Sequence, residues 1–93
     1  MDDLYALILE GIIHEMKQIA AGEVTSTDRL ETYVTDAKSV LNAPNKAALT
    51  RALNTTKRYL ASSQDEKSEY LKDLLQSIRA VANRYTSYVL NVL

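Results

Sequence analysis

From Ser63 to Leu93 the chain has neither Gly nor Pro, and its apolar residues fall at Leu71, Leu74, Leu75, Ile78, Val81, Ala82, Tyr85, Tyr88, Val89 and Val92. That i, i+3, i+4, i+7 recurrence marks one apolar face of a helix. The segment opens with Ser63-Gln64-Asp65-Glu66, the spacing of a capping box in which hydroxyl and carboxylate satisfy each other's backbone donors. The pattern predicts a final helix over about 64–91, reaching roughly 45 Å if unbroken.

Three shorter stripes precede it. Leu4, Ile8, Ile12, Met16 and Ile19, widened by Tyr5, Leu9 and Ile13, predict a helix over about 2–21. Asp2 and Asp3 suit the positive end of its dipole, and Gly22 suits a left-handed stop. Asp3, Glu10, His14 and Lys17 fall on the opposite face. Leu30, Tyr33, Val34, Ala37, Val40 and Leu41 predict a second helix over about 27–42. It follows the cap-rich Thr25-Ser26-Thr27-Asp28 and stops before Pro44. Leu49, Ala52, Leu53, Thr56 and Leu60 predict a third over about 45–61, the weakest stripe of the four. Connections are short, which favours antiparallel neighbours. The expected fold is all-α: one domain over 1–93, an antiparallel up-down-up-down four-helix bundle with a long C-terminal helix. A three-helix core with an appended helix is the lesser option.

Composition narrows the functional classes. The 93 residues carry no Cys, which removes disulfide and thiolate chemistry, and all six aromatic residues are Tyr. A net charge of −1 disfavours nucleic acid as a partner. The apolar run from Leu4 to Ile13 follows acids rather than a basic leader and is too short to span a bilayer. The expected location is the cytoplasm. With Gly11 and Gly22 the only glycines there is no phosphate loop, and one His offers no metal cluster. Neither catalysis, a cofactor nor a bound metal is expected.

Three sets of residues invite a function. The uncharged tail from Tyr85 to Leu93 would lie beside the start of helix one, bringing Tyr5, Tyr85, Tyr88, Leu90 and Leu93 to one end. It either closes the core or forms a protein-binding or self-association surface, with a membrane surface the less favoured occupant. From Ala37 to Gln64 there are five basic residues and no acid; Arg51, Asn54, Lys57 and Arg58 share one helical surface. They either are solvated or form a small anion site on a nucleic acid or lipid surface.

The third set surrounds the single histidine. Ile13-His14-Glu15-Met16-Lys17-Gln18 resembles the phosphoacceptor helix of two-component signalling proteins. Histidine kinases carry His-Glu-aliphatic-basic there, and phosphotransfer domains carry Lys three residues after the His. The resemblance covers about five residues. It implies His14 as acceptor, Lys17 as phosphate partner and Glu15 as acidic neighbour. Gln18 stands where phosphotransfer domains carry a small residue. The alternative is a solvent-facing His.

In length and helix order the whole chain resembles the small cytoplasmic immunity proteins that protect bacteria from their own peptide bacteriocins. Those are antiparallel four-helix bundles whose variable C-terminal segment is implicated in recognition. Small phage or viral accessory bundles share the same outline. The expectation is a non-enzymatic protein acting through protein–protein contact, with self-association through the final helix as one form of it.

Overall fold

A computed structural model describes residues 4–40 and 43–92, without the side chains of 43, 44 and 92. The chain is all-helical: α1 Leu4–Ala20, α2 Asp28–Lys38, α3 Ala43–Ala61 and α4 Lys67–Val92. No strand occurs among the described residues. The expected contributions of Asp2, Asp3, Leu41 and Leu93 lie outside them.

Helix α1 packs against both α2 and α4, α3 packs against α4 and α2, and α1 also meets α3. Their shared core is aliphatic: Leu9, Ile12, Met16, Ile19, Leu30, Val34, Leu49 and Leu74 are fully enclosed, with Ile78 and Val81 beside them. Thr56 is also enclosed, and its Oγ1 donates to the Ala52 carbonyl at 2.9 Å, so the buried hydroxyl is satisfied within its own helix. The molecule measures 46 × 24 × 22 Å, its long dimension set by the 26 residues of α4. No helix among the described residues is long and apolar enough to cross a membrane.

The helix ends separate what local chemistry decides from what it does not. Gly22 takes a φ of +80°. Glu23 N–H donates to the Gln18 carbonyl at 3.0 Å and Gly22 N–H to that of Ile19 at 3.1 Å. This is the Schellman closure that the position of Gly22 suggested.

Helix α2 stops at Lys38, short of the expected residue 42. Ser39 Oγ donates to the Asp36 carbonyl at 2.7 Å, and Val40 N–H turns back to the Ala37 carbonyl at 3.1 Å. A local hydroxyl and i→i+3 bonds thus replace the next helical turn, and Val40 leaves the core stripe for solvent.

Helix α4 begins at Lys67 rather than 64, because only half of the capping box forms. Glu66 Oε1 accepts Ser63 N–H at 3.4 Å. The Ser63 hydroxyl donates to that same carboxylate at 3.1 Å instead of capping Glu66 N–H, which bonds the Ser63 carbonyl. Lys67 then fastens the start of α4 to the end of α3. Its Nζ donates to the Tyr59 carbonyl at 3.3 Å and lies 4.8 Å from the Tyr59 ring centre.

Two further stripe positions are corrected. Leu4 and Leu75 are half exposed, and Tyr59, absent from the expected stripe, is buried in their stead.

Candidate functional site

The tyrosine-rich end forms in part. The Tyr5 and Tyr88 rings meet edge to face, with centres 4.7 Å apart and planes at 86°. Burial raises the pKa of the Tyr5 hydroxyl; the charge of Arg84 opposes the rise and Tyr88 adds to it. One turn away, Tyr85 Oη donates to Glu10 Oε1 at 2.5 Å. Leu90 does not join them. It is 77% exposed on the outer side of α4, and Leu93 lies outside the described residues. The tail is therefore laced onto the start of α1 by Tyr85 and Tyr88 and does not present five side chains as one patch.

The larger apolar surface lies on the other flank of α1. Leu4, Leu7, Ile8, Tyr33, Asp36, Ser39 and Val40 line an open groove of about 500 Å³. Leu7 is 61% exposed and Val40 58%, which puts three of the five exposed large aliphatics among the described residues around one depression. Sequence reasoning assigned Leu4 and Val40 to the core and left Leu7 aside. The available signal was the second apolar line on α1, Leu4-Leu7-Gly11 at i, i+3, i+7, beside the core stripe.

Gly11 brings the helices together at this groove. A Cβ there would lie 2.7 Å from Tyr33 Cε1, inside any ordinary contact. The missing side chain lets the Tyr33 ring approach α1 closely while it lines the groove.

Glu15 also turns toward α2. It is 3% exposed, its Oε2 lies 3.9 Å from Arg29 Nε, and its Oε1 has no hydrogen-bond partner among the described residues. Successive residues on a helix point about 100° apart. Glu15 therefore faces inward while His14 faces solvent, which overturns its expected place as acidic neighbour of His14. His14 and Lys17 share a separate shallow groove with Glu10, Ile13, Ala82, Tyr85 and Thr86.

Arg51, Asn54, Lys57 and Arg58 are all exposed on α3. Lys57 is drawn aside, its Nζ standing 3.5 Å from Glu31 Oε1. Glu31 also accepts a hydrogen bond from Thr27 Oγ1 at 2.8 Å. That bond first, and Lys57 second, hold its carboxyl below the usual glutamate range. One of the three cations of the expected anion site is thereby neutralised by α2. No metal-binding group of three or more acidic, His or Cys residues occurs among the described residues.

No protein-family model, no curated protein and no solved structure matches this chain.

Proposed function

We propose that this chain is a cytoplasmic, non-enzymatic protein whose four helices form one up-down-up-down bundle, and that it acts by docking a partner protein in the groove between α1 and the end of α2. The topology is supported by which ends meet. Tyr5 near the start of α1 touches Tyr88 near the end of α4, Lys67 at the start of α4 touches Tyr59 near the end of α3, and Glu31 early in α2 touches Lys57 late in α3.

The docking role rests on one observation: Leu4, Leu7 and Val40 stand exposed around a depression able to hold an apolar side chain. Among the described residues the one charged residue lining that depression is Asp36. The complementary occupant is an amphipathic segment of another protein, apolar on the face it buries and carrying a Lys or Arg opposite Asp36.

The test pairs two measurements. Light scattering over a range of concentrations gives the oligomeric state. A model amphipathic helix of Leu and Lys is then titrated into the ¹⁵N-labelled chain. The proposal expects a monomer with saturable shifts around Leu4, Leu7, Tyr33 and Val40, lost in Leu7→Asp. A concentration-dependent dimer abolished by Leu7→Asp would put a second copy in the groove and overturn the hetero-partner. A monomer with no shifts there would overturn the docking site itself.

A further inference from the structure

Arg84 sits half-buried on α4, and its Nη1 donates to Asn45 Oδ1 on α3 at 2.5 Å. That amide oxygen takes one of the guanidinium's five donors and brings no charge. Two other cations have an acid beside them, Arg29 with Glu15 and Lys57 with Glu31. No carboxylate stands within ion-pair distance of Arg84 among the described residues. Beside Arg84 lies a small pocket of about 240 Å³ lined by Tyr5, Asn45, Arg84, Ser87, Tyr88 and Asn91. Among the described residues every other group in that lining is neutral, and all five carry hydroxyl or amide donors. Tyr5 and Tyr88 supply an apolar wall through their edge-to-face pair. The arrangement has one positive charge on a half-buried side chain and a ring of neutral donors.

We infer that the Arg84 pocket is a receptor for a single carboxylate. The guanidinium fork matches a planar carboxylate in size and geometry. One cation balances one negative charge, so a monoanion fits better than a phosphate dianion. The carboxylate has two sources, a small free acid or the C-terminus of a peptide. The site is separate from the apolar groove on the other flank of α1 and does not depend on it.

Sodium acetate titrated into the ¹⁵N-labelled full chain at constant ionic strength, with chloride as the matched salt, tests the inference. Saturable shifts are expected at Tyr5, Asn45, Ser87, Tyr88, Asn91 and the Arg84 side-chain Nε. Arg84→Gln should weaken binding roughly tenfold or more. Arg84→Lys keeps the charge, loses the fork and should fall between. Tyr5→Phe and Ser87→Ala leave the guanidinium in place, and each should weaken binding by about two- to fivefold; they keep the test readable if Arg84→Gln unfolds. A tripeptide with a free C-terminus, compared with acetate and with its own C-terminal amide, separates the sources. Tighter binding of the free-acid peptide assigns the pocket to a chain end, and equal binding to a small acid. Shifts that match chloride, spread over Arg51 and Arg58, or persist in Arg84→Gln would overturn the inference.

Discussion

Along its α4 flank, α1 is joined by paired groups: Tyr5 with Tyr88, Glu10 with Tyr85. Along its α2 flank it has an open groove and a buried carboxylate whose partner, Arg29, is 76% exposed and nearly 4 Å away. The neighbouring helices also differ in length. The 17 residues of α1 span roughly 26 Å and the 26 of α4 roughly 39 Å. The 11 residues of α2 span roughly 17 Å. The groove opens where α2 ends: Leu4 and Leu7 share it with Tyr33 and Asp36 of the last turns of α2 and with Ser39 and Val40 just past Lys38. Similar leucines on one helix are therefore core or surface according to which side of it they face: Leu9 is enclosed and Leu7 is exposed.

The largest effect expected from this contrast is between two leucines of α1. Leu9 is fully enclosed, and Leu9→Ala should cost about 2–5 kcal/mol in urea unfolding. Leu7→Ala should stay within about 0.5 kcal/mol. Equal losses would erase the distinction between the flanks.

Next, Tyr88→Ala removes a half-buried ring and its edge-to-face partner, and should cost about 2 kcal/mol. Val40→Ala, at the groove margin, should again be near neutral by the same melts. A cost for Val40→Ala matching that of Tyr88→Ala would mean that the α2 flank is covered after all.

A smaller effect sits at the hinge of the comparison, where Tyr33 lies on Gly11. Gly11→Ala should destabilise the natural chain by displacing the ring. In a Tyr33→Ala background the same change should stabilise by up to about 1 kcal/mol through helix propensity alone. Additive values in that double-mutant cycle would show that the ring does not rest on the glycine.

The smallest effect tests whether α2 is anchored at its start, as a groove at its end requires. Glu31 has a lowered pKa in the folded chain, so the folded state binds its proton less readily than the unfolded state. The stabilisation is complete above the unfolded value and is lost as pH falls through the folded one. Glu31→Gln should therefore flatten the acid side of the stability profile, read as urea midpoints between neutral pH and pH 3. An unchanged acid limb would mean that Thr27 and Lys57 do not hold this carboxylate.

Periodicity and end signals carried the all-helical fold because both act within one or two turns. The stripe Ile8-Ile12-Met16-Ile19 is buried as its spacing implied, and Gly22 closes α1 in the left-handed form that its missing side chain permits. Local signals were less secure where two local options competed. Ser39 could extend α2 or take back the Asp36 carbonyl, and the hydroxyl at Ser63 could cap α4 or bind Glu66; both took the second course. The functional surfaces were harder still. Tyr5 and Tyr88 were expected at one end, and their rings meet there, since α1 packs against α4. The pairing of Arg84 with Asn45 joins residues 39 positions apart, and Tyr33 over Gly11 joins two helices; no sequence period encodes either. By itself the sequence determined which residues turn helical and which face of each helix is apolar, since those follow from propensity and spacing. Only the tertiary structure decided which of those apolar residues find cover, because that depends on the length and direction of a neighbour contributed by a distant part of the chain.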